Sequence, residues 1–192
     1  MKKFFALVVL ALTALTVNAQ EDSKITVKAG VGMSSVVGSD TDADKSIFSY
    51  KVGASYDFGI SNRFSIIPGL ELVNKGFKED GIDGNINMCY LQIPVFAAYK
   101  MPISDNMKLA IKAGPYFSYG LYGSDLEFYG EGSINVFDSD MFDRFDIGAV
   151  AGVSLDFDQF MVGVEYSRGF KKLNSDVSAF NQAFGLVVGY KF

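Results

Sequence analysis

Histidine and tryptophan are both absent from the 192 residues. That removes the imidazole base, the Ser/His/Asp triad and the histidine metal ligand, so any chemistry falls to carboxylates, lysines and hydroxyls. The strongest set comprises Lys28, Lys51, Lys75, Lys108, Lys112 and Arg144 with Asp57, Glu71, Asp146, Asp156 and Glu165. All share the polar parity of alternating segments. Long side chains of mixed sign in one narrow, low-dielectric space should pair, because an unpaired buried charge is costly. Such a set would serve either as a polar path for ions and small solutes or as a plug of salt bridges. Asp40-Thr41-Asp42-Ala43-Asp44 begins like a calcium loop, but Lys45 occupies the glycine position and Lys51 the bidentate glutamate position, so it reads as a solvated acidic loop. Asp125, Glu127, Glu131, Asp138 and Asp140 are similarly undiagnostic; binding divalent cations is one use for them. No paired catalytic constellation is visible, and no enzyme activity, metal or cofactor is expected.

The elements that carry these residues alternate with period two. Phe48, Tyr50, Val52, Ala54, Tyr56 and Phe58 take one face, and Ser49, Lys51, Gly53, Ser55 and Asp57 the other. The same division occurs over residues 107–121, 144–157 and 180–192, and more weakly over 24–37, 63–77, 87–100 and 160–169. These make eight strands. Short connections near Ser61-Asn62, Pro102 to Asn106 and Asp156 to Gln159 alternate with longer loops at 38–46, 78–86, 122–141 and 170–179. All long loops then lie at one end, as in an up-and-down antiparallel barrel. The expected fold is therefore all-β, an eight-stranded antiparallel transmembrane barrel. Pro68, Pro94 and Pro115 are expected to introduce bulges or bends. The fourth strand's register is ambiguous, since Phe96 and Ala98 share a face with Gln92 and Lys100.

Lys2 and Lys3, the apolar run from Phe4 to Val17 and the small-residue site at Val17-Asn18-Ala19 predict a signal peptide over 1–19, leaving 20–192 as one domain. Cleavage removes two lysines and takes the net charge from −5 to −7, a poor balance for nucleic acid. Cys89 is the only cysteine, so no internal disulfide holds the fold.

The small residues decide between a soluble barrel and a membrane barrel. Gly30, Gly32, Gly53, Gly59, Gly69, Gly114, Gly120, Gly148, Gly152, Gly163, Gly185 and Gly189 all take the polar parity. On a wet exterior they would only weaken the strands, whereas in an eight-stranded lumen they make room. The apolar face is then outward. Phe58, Phe64, Tyr99, Phe157, Phe160, Tyr190 and Phe192 would ring the short-turn end, and Phe48, Tyr119, Phe142, Tyr166 and Phe180 the other.

Tyr90-Leu91-Gln92-Ile93-Pro94-Val95 with Tyr99-Lys100, Asn74-Lys75-Gly76-Phe77-Lys78, Ala113-Gly114-Pro115-Tyr116, Phe145-Asp146-Ile147-Gly148, Gly163-Val164-Glu165-Tyr166 and Gly189-Tyr190-Lys191-Phe192 resemble the outer-membrane beta-barrel domain family, whose members include porin-family and PorT-like proteins. The resemblance implies a Gram-negative outer membrane, periplasmic termini and short turns, extracellular long loops and no catalytic residues. It implies that Val188, Tyr190 and Phe192 form the signal read by the barrel-assembly machinery. Outer-membrane lipid and lipopolysaccharide are the expected surroundings, and secretion or envelope proteins the expected partners of a monomer. The functional expectation is a structural, surface-interaction or secretion/assembly role; the alternative is a low-conductance passive channel.

Overall fold

The computed structural model describes residues 24–38, 45–78, 86–123, 137, 142–173 and 179–192. The expected signal peptide, the Asp40 to Asp44 loop and the carboxylates from Asp125 to Asp140 lie outside these residues. Eight strands follow one another: β1 (Lys24–Gly38), β2 (Lys45–Gly59), β3 (Phe64–Lys78), β4 (Ile86–Ser104), β5 (Met107–Gly123), β6 (Phe145–Phe157), β7 (Phe160–Gly169) and β8 (Ala179–Lys191). Each pairs antiparallel with the next, and β8 pairs with β1 to close the barrel. Closure satisfies the backbone groups that an open sheet edge would leave bare, which is what lets a sheet live in lipid.

Register fixes the geometry. Followed one way from Lys28, the paired residues run through Gly53, Glu71, Gln92 and Ser118 to Asp146 on β6. Followed the other way they run through Gly189 and Met161 to Asp156, also on β6. The two routes meet that strand ten residues apart, a stagger that requires strongly tilted strands. A 13-residue strand such as β8 climbs about 33 Å at about 3.3 Å per residue and about 40° of tilt, enough to cross a hydrocarbon core.

The faces divide as the alternation dictates. Val31, Phe48, Leu70, Phe160, Phe184, Leu186 and Val188 project outward and exposed, whereas Lys28, Glu71, Asp146, Ser154 and Glu165 are buried inside. Two-residue turns at Asp105-Asn106 and Asp158-Gln159 close the short end. Asp158 takes a positive φ of 44°, the left-handed conformation that tight hairpins favour and aspartate tolerates.

Four expectations are corrected. The fourth strand extends from Ile86 through Pro102 to Ser104, and its inner face carries Met88, Tyr90, Gln92, Pro94, Phe96 and Ala98. It was ambiguous because apolar residues occupy both of its faces. Pro68, Pro94 and Pro115 do not create bulges: register is continuous past them, and the irregularities fall between Ser46 and Lys51, between Cys89 and Tyr90, and between Pro102 and Ser104. Phe142 is not part of an outer aromatic ring, because it packs edge-on against Phe77 at 6.2 Å beside the apolar cluster in the barrel mouth. The inner face is also bulkier than its many glycines imply, since Tyr90, Tyr116, Phe96 and Met88 are fully buried there.

Those large side chains come from β4 and β5, and glycines on other strands receive them. A Cβ at Gly148 would lie 2.7 Å from the Tyr116 ring and against the Arg168 carbonyl. Gly148→Val should therefore lower stability by about 1–3 kcal/mol, while the lipid-facing Val31→Leu stays within about 0.5 kcal/mol, both measured by urea unfolding from lipid vesicles.

Candidate functional site

The lumen is built in three layers. At mid-barrel, Glu165 from β7 is the hub. Its carboxylate meets Lys112 Nζ at 2.7 Å, Lys28 Nζ at 3.5 Å and also the Lys51 ammonium, while Lys28 reaches Glu71 at 2.6 Å. Apart from the half-buried Lys51, these side chains are nearly removed from solvent. Phe96 from β4 lies under two of the cations, with its ring centroid 5.1 Å from Lys28 Nζ and 5.0 Å from Lys112 Nζ. The aromatic face adds attraction where water cannot screen it.

Closer to the long-loop end, Lys75 is 1% exposed and sits over Tyr116 at 4.3 Å and Tyr90 at 5.5 Å. Its counter-charge is Asp146, at 3.6 Å. The same Asp146 oxygen accepts hydrogen bonds from the Tyr116 hydroxyl at 3.0 Å and the Asn181 amide at 3.2 Å. Above this layer Val36, Phe77, Ile86, Met88, Tyr90, Phe137, Leu173 and Ala179 form an apolar stopper. Phe137 reaches it from the segment between β5 and β6 and meets Tyr90 edge-on at 5.7 Å. Gly120 makes its space, because a Cβ there would approach the Phe137 ring to 2.5–2.8 Å. Arg144 holds this mouth, with Nη1 donating to the Gly120 carbonyl at 3.2 Å and the guanidinium 5.5 Å from the Phe137 ring centroid.

The short-turn end is open and wet. A vestibule of about 200 Å³ is lined by Asp57, Lys100, Lys108, Asp156, Lys191 and the turn residues around Asp105 and Asp158. Lys100 pairs with Asp57 and Lys191 with Asp156, while Lys108 is exposed. Small spaces of about 30 Å³ and 20 Å³ continue inward, past Phe96 and then beside Lys51 and Glu165. Each has room for about one water molecule or little more.

Of the eleven charged residues singled out in the sequence, Lys28, Lys51, Glu71, Lys112 and Glu165 converge in one cluster and Lys75 joins Asp146 in a second. Asp57, Asp156 and Lys108 line the vestibule, and Arg144 stands at the opposite mouth. Sequence reasoning missed Lys100 and Lys191 as partners, and Tyr90, Phe96, Tyr116 and Asn181 as the groups that shape the charged layers. Lys191 did share a parity with Gly185 and Gly189; Lys100 lay on the strand of ambiguous register. Among the described residues no group of three or more His, Cys, Asp or Glu side chains could hold a metal ion. Val188 and Phe192 are exposed on the outer wall, with Tyr190 stacked edge-on between Phe160 and Phe192 at 5.3 and 4.9 Å.

Burial makes these pairs unequal. Asp146→Asn strands Lys75 among aromatic rings and should cost about 3–5 kcal/mol in vesicle unfolding, whereas Asp143→Asn, which breaks the half-exposed 2.9 Å pair with Lys171, should cost less than about 1 kcal/mol.

The same barrel fold is found among known proteins. Neisserial surface protein A (NspA) superposes with a TM-score of 0.57 at 15% identity, over 88% of this chain and 97% of that one. The outer membrane enzyme PagL gives 0.56 at 16% identity, over 86% and 98%. Ail, the attachment invasion locus protein of Yersinia pestis, gives 0.45 at 19%, over 88% and 99%. At these identities the likeness is one of fold. No curated protein matches the sequence. The model of the outer membrane protein beta-barrel domain matches residues 18–175, most of the chain. The chain belongs to the outer membrane protein beta-barrel domain family, and is an outer-membrane β-barrel protein.

Proposed function

We propose that this barrel is a closed envelope scaffold with a structural, surface-interaction or secretion/assembly role, and that no solute crosses it. One observation carries the reading: the path through the lumen is interrupted twice, by the Glu165 cluster packed on Phe96 and by the apolar stopper around Phe137. Three lysines and two glutamates that largely offset one another and rest on an aromatic ring leave no continuous hydrated column. The predicted signal peptide over 1–19, the family and the alternation of loop lengths support export to a Gram-negative outer membrane, with termini and short turns in the periplasm and long loops outside. Val188, Tyr190 and Phe192, exposed or half-buried on the outer wall of the last strand, suit recognition by the barrel-assembly machinery during insertion. Outer-membrane lipid and lipopolysaccharide would surround a monomer, and the long loops would meet secretion or envelope proteins of the kind a PorT-like role requires.

The alternative, a low-conductance channel, draws on the vestibule and the small spaces behind it. An enzyme would have to work without histidine, which excludes a histidine-based triad even though one structural neighbour is an outer-membrane enzyme. Planar-bilayer recording separates scaffold from channel. The folded protein and its Phe137→Ala variant should both be electrically silent, because the layer of Lys75, Tyr90 and Tyr116 lies beneath the stopper. Reproducible conductance steps from the unmodified protein would establish the channel instead.

A further inference from the structure

The outer wall carries one row of polar side chains where the surrounding positions are apolar. Tyr166, Phe184, Met33 and Phe48 pair across β7, β8, β1 and β2 as a lateral row of exposed apolar and aromatic groups. Two residues along each strand toward the long loops, the exposed Arg168 pairs with the half-buried Gln182, and Gln182 with the buried Ser35. The next residues on that side return to apolar, with Phe170 63% exposed and Val37 paired with Phe180.

This row is organised. Gln182 Nε2 donates to Ser35 Oγ at 2.8 Å, and its Oε1 accepts from the Tyr166 hydroxyl at 3.3 Å. Both bonds fix the amide on the residue that pairs with Arg168. Arg168 is exposed, alternates with the inward Glu165, Ser167 and Gly169, and forms no ion pair among the described residues. Lys171, three residues on, pairs with Asp143 at 2.9 Å.

A guanidinium on the lipid-facing wall is tolerated at the headgroup level and not in hydrocarbon, so the aromatic row below it marks the boundary. A planar fork of donors at that depth matches a tetrahedral phosphate oxyanion better than any other abundant group there. We propose that Arg168, supported by the Gln182 amide, is a binding site for the phosphate of a membrane lipid, either a phosphorylated glycolipid or an anionic glycerophospholipid. The site rests on the envelope-scaffold reading only in needing the barrel to be embedded in lipid.

The test uses the full barrel, residues 20–192, folded into phosphatidylcholine nanodiscs doped with bisphosphorylated lipid A, dephosphorylated lipid A or phosphatidylglycerol, with retained lipid counted by native mass spectrometry. The unmodified barrel should retain at least one phosphorylated lipid in preference to the dephosphorylated one, and Arg168→Gln should reduce that retention about tenfold, the scale of one charge-assisted contact. Arg168→Lys should keep part of it, and Lys108→Gln, at the opposite mouth, all of it. Preference for lipid A identifies the glycolipid as the source, and preference for phosphatidylglycerol the glycerophospholipid. Equal retention by Arg168→Gln and the unmodified barrel, or no preference for either phosphorylated lipid over dephosphorylated lipid A, would overturn the site. Heat-modifiable gel mobility of each variant verifies folding. A silent, folded barrel lacking Arg168-dependent retention would sink this site alone, and conductance would sink the closed scaffold alone.

Discussion

Eight strands enclose an interior too narrow for bulk water, yet this chain places lysines and carboxylates there. Everything else in the barrel follows from how those charges are kept. Buried separately, each ion would carry a desolvation penalty of several kcal/mol that the fold could not sustain. Grouped around Glu165 and Asp146, they compensate one another, and the rings of Phe96, Tyr90 and Tyr116 occupy the space that water would otherwise fill. Charge compensation and plugging are therefore one arrangement.

Filling the lumen imposes an asymmetry on the wall. β4 and β5 bring Tyr90, Phe96 and Tyr116 inward, while glycines such as Gly32, Gly53, Gly152, Gly163 and Gly185 on β1, β2, β6, β7 and β8 keep those parts of the inner face small. The ten-residue stagger then brings Glu165 of β7 to the level of Lys28, Lys51 and Lys112, residues from three other strands. Outside, the constraint is reversed: apolar side chains such as Val31, Leu70 and Leu186 stand exposed on the wall that faces lipid.

Much of this was legible in the sequence because the β-strand period is two and the burial contrast between faces is large. Phe48 against Lys51, or Val164 against Glu165, states the inside and outside of a strand without any structure. Loop lengths gave the topology by the same logic. The partners of each charge were not legible, since cross-barrel neighbours depend on stagger, which no single strand encodes. Lys112 and Glu165 are far apart in sequence and lie on strands that do not pair. β4 was obscured because Cys89, Leu91 and Val95 alternate with Met88, Tyr90 and Phe96, apolar on both faces. Phe137 and Phe142 act as plug residues through their place at the mouth, where period two no longer applies.

The central claim is that the luminal charges stabilise one another across the barrel. A double-mutant cycle between Glu165 and Lys112, using Glu165→Gln and Lys112→Met in equilibrium unfolding from lipid vesicles, measures it directly. The account predicts that the double variant is more stable than the summed single losses allow, by a coupling of about 1–3 kcal/mol, because Lys112→Met removes a partner of Glu165 in the unmodified barrel but relieves surplus positive charge once Glu165 is gone. Additive losses, with coupling within about 0.5 kcal/mol of zero, would contradict the account by showing that the two side chains share a lumen without sustaining each other.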